Sequence, residues 1–278
     1  MTNSAVKDVF VMIKQVPDTR SKAGLNPDGT INRAQAKRML NPFDEYALQA
    51  ALNVKKQTGC RVTAITMGPP PAIEILYTAL EHGADRCYLL SDRRLAASDT
   101  LATAFALWKT IEHLNGFQMI FCGLQTTDGD TAQVGPQLAE RLNLPQVTYC
   151  EDFEVVGDKL HARRVVEGGW QRVVSELPVM VTVANSYHPL EFKSLRGARM
   201  VQELMRNEAL RSEYITTVDL DVVGADPDLT GLKGSPTIVA KTDKVGSIGG
   251  NCAMHQGQAV EALVREVTLQ TNLLEFAS

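Results

Sequence analysis

Short apolar runs alternate with longer segments whose apolar residues recur at helical spacing through the first half of the chain. That alternation predicts a parallel sheet covered by helices, because each strand must be followed by a crossover helix that returns the chain to the same end of the sheet. VFVMI, ending just before Lys14, RVTAITM (61–67), RCYLL (86–90) and QMIFC (118–122) are the predicted strands. Between them, NPFDEYALQAALNVKKQTG carries Asn41 as N-cap, Pro42 at the first helical position, acids in the first turn and Gly59 past the end, all helix signals. IEILYTALEHG closes on Gly83, and SDTLATAFALWKTIEHLNG opens with Ser98 as its cap candidate.

From about residue 150 the pattern changes. FEVVGDKLHARRVV predicts a hairpin turning at Gly157 and Asp158, and QRVVSELPVMVTVAN supplies two further strands about Pro178, so the sheet is expected to be mixed. Beyond Asp219 the chain is rich in Gly, Pro and Asp without periodicity, then helical from about Met254 to Leu274. An aperiodic stretch of that length is unusual inside a compact domain, and an arm wrapped over a partner accounts for it. The expected organisation is an α/β domain over 1–218, with a hairpin extension at 151–185, followed by an arm and helix over 219–278.

Composition adds exclusions. The chain has 278 residues, 28 Lys+Arg against 32 Asp+Glu, and a formal charge of -4 with no block of one sign, which argues against a nucleic-acid partner. Five scattered cysteines have neither paired nor zinc-type spacing, as expected for a reducing compartment. The five histidines show no metal or triad spacing, so no metal site is assigned. No apolar run reaches the ~18 residues of a membrane span, and the N-terminal segment has no presequence pattern; the expected location is cytoplasmic. P-loop, GxGxxG and GxSxG motifs are absent, which disfavours standard P-loop and dinucleotide enzymes and α/β hydrolases.

The candidate chemistry lies in GLQTTDGDTAQVGPQLAERL (123–142). It follows a predicted strand and leads into a helix, the position where open α/β sheets bind ligands. Backbone N–H groups and hydroxyls around Thr127, Gly129, Thr131, Ala132 and Gln133 suit an anion such as phosphate at a helix start. An ordinary capped helix, with Asp130 or Thr131 as N-cap, accounts for the segment equally well. KQVPDT (14–19) and TMGPPP (66–71) also sit at strand ends and are expected to line the same crevice, through Val16, Thr66 and Gly68 among others, although both would serve as plain turns.

Three ordered blocks, ARRVVEGGWQRVVSELPVMVT (162–182), NPFDEYALQAAL and DGDTAQVGPQLAE, resemble the β subunit of electron transfer flavoprotein, and the resemblance runs over essentially the whole chain. It implies a Rossmann-like, doubly wound domain that binds an adenine nucleotide and pairs with an α subunit carrying a redox FAD, contributing no acid-base residues of its own. The nucleotide would lie against Met12, Lys14, Asn41, Asp44, Met67, Cys122 and the loop containing Gly123, Gln125, Thr127, Asp128, Gly129, Asp130, Thr131, Ala132, Gln133 and Val134.

The family has two branches. In the ordinary one the β subunit resembles an AMP holder, with Asn and Thr where Ala132 and Val134 stand here. In the electron-bifurcating branch the block resembles GDTAQVGP and the β subunit carries a second FAD, which KQVPDT also resembles. The bifurcating likeness implies hydride uptake from NADH, with electrons parted between the α-subunit FAD, then an acyl-CoA dehydrogenase, and ferredoxin or flavodoxin. Leu124 departs from the basic residue many members carry after the first loop glycine. YHPLEFKSLRGARM (187–200) resembles the family's partner-recognition loop, with Leu195 as docking anchor. A universal-stress-type nucleotide sensor shares the strand-helix alternation and is the alternative from another class.

Overall fold

A computed structural model describes residues 6–18, 38–238, 260, 261 and 263–265. Its main sheet has nine strands in the order β11-β5-β4-β1-β6-β10-β7-β8-β9. The first strand, β1 (Asp8–Met12), lies between β4 (Arg61–Met67) and β6 (Met119–Gly123), with parallel pairing on both sides. β5 (Arg86–Leu90) and β11 (Ile215–Val218) extend one wing in parallel; β10 (Val179–Val183) and β7 (Gln146–Val156) extend the other. β7 and β8 (Lys159–Val166) form the predicted antiparallel hairpin, turning at Gly157 and Asp158, and β9 (Gly169–Glu176) adds antiparallel to β8. A separate antiparallel pair joins β2 (Gln15–Pro17) to β3 (Arg38–Leu40). The α/β, doubly wound, mostly parallel architecture with a mixed extension is as expected.

Burial explains the sequence pattern. β1 is buried almost throughout because both sheet faces are covered, which is why VFVM reads as a continuous apolar run. Val9 and Val11 pack with Ala47, Leu48 and Leu76, from α1 (Pro42–Thr58) and α2 (Ile73–His82). Phe10 and Met12 point the other way, against Leu107, Ile111 and Leu138, from α3 (Thr100–Leu114) and α4 (Val134–Arg141). The solvent-facing hairpin instead alternates, and Trp170 and Val174 on β9 stay exposed.

Three local expectations are corrected. Helix α3 is capped by Asp99, whose carboxylate accepts the Leu101 and Ala102 N–H groups at 3.0 Å; Ser98 lies one residue too early. Helix α4 has Gln133 at its N-cap position, so neither Asp130 nor Thr131 caps it. Residues 219–238 do not extend from the domain: Leu220, Val223 and Ala225 are buried beside Leu90, Leu95 and Phe105. This apolar triplet, spaced through a polar stretch, lacks a period that pattern reading detects. The expected C-terminal helix falls largely outside the described residues; residues 260, 261 and 263–265 are helical. Of KQVPDT, Thr19 lies outside them as well.

Candidate functional site

Strand order reverses direction of travel at β1 and β6: β4 follows β1 on one side, while β6 begins the other wing. Such a switch point leaves a crevice at the carboxyl ends of the two strands, where the following loops diverge. Lys14 follows β1, and the loop 124–133 follows Gly123 at the end of β6.

The turn at the start of α1 closes the base of this crevice. Asp44 is only 5% exposed. Its carboxylate accepts the Lys14 N–H at 2.7 Å and the Gly123 N–H at 3.2 Å. Removal from water dominates its titration and lifts its pKa to about 7, against the lowering pull of the Lys14 N–H, Asn41, the Gly123 N–H and the Lys14 charge. Gly123 is required by contact: a Cβ there would stand 2.6 Å from the Phe43 carbonyl carbon, inside any tolerable separation.

Asn41, wholly buried, sits at the N-cap position of α1 but makes no side-chain cap bond. It serves the loop instead, donating from Nδ2 to the Gln125 carbonyl at 2.8 Å and accepting the Thr127 N–H on Oδ1 at 3.2 Å. Lys14 reaches the same loop, its Nζ lying 2.8 and 2.9 Å from the two Asp128 oxygens. Burial opposes the charged form of Asp128, but the Lys14 hydrogen bond and charge outweigh it and hold the carboxyl below its ordinary range. Gln125 Nε2 donates to Asp130. Asp130 and Ala132 both adopt left-handed backbone, φ 53° and 54°, a conformation that costs a residue with a Cβ about 1–2 kcal/mol.

That backbone turns the N–H groups of Thr131, Ala132, Gln133 and Val134 away from the loop's own carbonyls; among the described residues they meet no acceptor. Free donors at a helix N-terminus beside a lysine have the chemistry to receive an anion. Ala132 adds no polar side chain to it, and α4 lies close against the sheet because Gly135 leaves no Cβ to strike Cys122 Sγ, at 2.7 Å, or Thr182 Cγ2, at 2.9 Å. This is the close helix-strand approach that a glycine permits in dinucleotide-binding folds. A phosphate or diphosphate fits the residues present.

On the other side of β1, Val16, Met67 and Gly68 line a cavity of about 150 Å³ with Gln15, Pro17 and Arg38. Thr66 is 1% exposed, and its Oγ1 has no partner among the described residues. Met12 is packed in the core with Phe10 and Ile65, and Cys122 is half-buried. The structure therefore brings Lys14, Asn41, Asp44, Gly123, Gln125, Thr127, Asp128, Gly129 and Asp130 together at the loop, with Val16, Met67 and Gly68 in the neighbouring cavity. Gly135 and Thr100, whose Oγ1 donates to Gln133 Oε1 at 2.9 Å, lie beside the loop and were not predicted. Leu195 makes none of these contacts; it is the first residue of α5 (Leu195–Arg206) and 79% exposed. No cluster suited to a metal occurs among the described residues.

Comparison with known proteins places the chain in a family. The electron transfer flavoprotein domain model matches residues 28–209, and the electron transfer flavoprotein subunit beta of Thermoanaerobacterium thermosaccharolyticum is 41% identical over 84% of this chain and 87% of its own length. The chain belongs to the electron transfer flavoprotein β-subunit family. Another family relative, the acryloyl-CoA reductase electron transfer subunit gamma of Anaerotignum propionicum, is also 41% identical, over 84% of this chain and 87% of its own. The caffeyl-CoA reductase-Etf complex subunit CarD of Acetobacterium woodii is 36% identical, over 87% and 89%. Among the described residues, no helix of this family member is long and apolar enough to cross a membrane.

Proposed function

We propose that the chain is the β subunit of a heterodimeric electron-bifurcating flavoprotein, holding FAD with its diphosphate at the α4 N-terminus. The observation that carries this reading is the pairing of free N–H groups at residues 131–134 with apolar Ala132 and Val134. Backbone donors suffice for a diphosphate, while a small side chain at 132 leaves room for the chain continuing beyond it. Bound FAD supplies acceptance of a hydride from NADH and onward delivery of single electrons.

The residues here bind and orient that group. Lys14 places a cation beside the anion seat, Asn41 holds the loop to α1, and Gly123 and Gly135 allow the close approach of backbone. The partners that this reading implies lie on two routes: an α-subunit FAD with an acyl-CoA dehydrogenase-type flavoprotein, and ferredoxin or flavodoxin. Two relatives that serve acryloyl-CoA and caffeyl-CoA reductases by name support the first route.

Co-purification with the α subunit tests this reading by cofactor count and by anaerobic reduction with NADH. Two FADs per heterodimer, both reduced, is the expected result; one FAD with one AMP and sluggish NADH reduction would overturn it. The AMP reading keeps one observation in its favour: residue 132 has left-handed backbone, which asparagine adopts more readily than alanine.

A further inference from the structure

Three consecutive residues at the start of α3 face two different parts of the chain. Ser98 Oγ accepts the Gly231 N–H at 3.0 Å. Asp99 uses one carboxylate oxygen to cap α3 and the other to accept the Thr237 N–H at 3.1 Å and the Thr237 hydroxyl at 2.7 Å. Its own N–H donates to Ser235 Oγ at 2.8 Å, and Ser235 in turn donates to the Gly231 carbonyl at 2.6 Å. The next residue, Thr100, turns toward the anion site: it donates to Gln133 Oε1 at 2.9 Å and accepts from Gln137 Nε2 at 3.4 Å.

We propose that Thr100 is a positioning residue for the anion loop, and that residues 231–237, docked on Ser98 and Asp99, set its place. Gln133 sits at the N-cap position of α4 and carries one of the free N–H groups, so the Thr100 bond fixes the direction of a donor without touching the ligand. Gln137 ties the same hydroxyl to the first turn of α4. Gly231 makes the docking close: a Cβ there would collide with the Arg94 carbonyl, and its φ of 60° is left-handed. A helix cap alone does not require this arrangement, since Asp99 satisfies Leu101 and Ala102 with one oxygen. The second oxygen and the backbone N–H are spent on the downstream segment.

Seating of 231–237 and order in the anion loop are therefore thermodynamically linked, and linkage is reciprocal. The ligand in this inference is the adenine nucleotide of the function proposed above.

The test uses the α/β heterodimer and two readouts: release of the co-purified nucleotide after dilution, and deuterium uptake by peptides spanning 124–134. Thr100→Val should speed release roughly two- to tenfold, the worth of one neutral hydrogen bond, and raise uptake in that loop. Thr100→Ser should restore both. The Ser235→Ala/Thr237→Val double variant should move both readouts in the same direction, although neither residue touches the loop. Wild-type behaviour of Thr100→Val, failure of Thr100→Ser to rescue, or an unaltered loop in the double variant would each overturn the proposal. Finding AMP as the released nucleotide would overturn the FAD assignment and leave this test intact, because deuterium uptake reads the loop directly.

Discussion

Replacing Asp44 by asparagine isolates the energetics of the crevice base. The carboxyl titrates near 7 instead of 3.8 because burial penalises its charge. A raised folded pKa means that the folded state binds the proton more tightly than the unfolded state over that interval. Stability from this group is therefore highest below about pH 4, falls as pH rises, and levels off above about pH 7. At about 1.36 kcal/mol per tenfold change in proton affinity, the full excursion is up to about 4 kcal/mol. Asp44→Asn removes the titration but leaves either the Lys14 or the Gly123 N–H facing an amide NH₂, a pH-independent cost of about 1–3 kcal/mol. Urea unfolding of wild type and variant side by side, from about pH 5 to about pH 8, reads the difference directly, since all other titrating groups are common to both. The variant should be clearly weaker at the acid end, and the gap should close or invert at the alkaline end. Parallel curves across the range would refute the raised pKa and leave Asp44 as an ordinary hydrogen-bond acceptor.

Gly135→Ala should cost about 1–3 kcal/mol by overpacking against Cys122 and Thr182, read as a lowered urea midpoint with unchanged slope. Lys14→Met should weaken nucleotide binding about 10- to 100-fold through loss of a charge-assisted contact, measured by calorimetry on the nucleotide-stripped heterodimer; unaltered affinity would remove Lys14 from the anion seat. Ala132→Asn should shift cofactor content from FAD toward AMP without loss of stability, because the backbone at 132 already has the φ asparagine tolerates; two retained FADs would show that this side chain does not select the cofactor.

The sheet was legible because its chemistry is local. VFVM, RVTAITM, RCYLL and QMIFC are buried on both faces, and continuous apolarity states that outright. The crevice followed from topology, since the loop after QMIFC had to lie at a strand's carboxyl end. What stayed hidden were pairings set only by the assembled chain. Asn41 has the identity of a helix cap, and nothing nearby in sequence reveals that its amide is spent on Gln125 and Thr127, 84 and 86 residues away. Gly135 reads as an unremarkable helix glycine until Cys122 and Thr182 come beneath it. Ser98 and Asp99 are both good caps by residue type, and their division of labour depends on residues 231–237, which no periodicity marked.

The Asp44 contacts divide the crevice into a floor and a rim with different entropic standing. One carboxylate ties the start of α1 to the ends of β1 and β6, segments 30 and 79 residues away in the chain, so the floor is built during folding. The rim is the loop 124–133, held by Asn41, Lys14 and Thr100 and strained at two left-handed residues. A nucleotide arriving there need order only the rim, so the conformational penalty that usually erodes affinity falls on about ten residues and spares the rest. Affinity can then be tuned through the loop's tethers while the fold stays untouched.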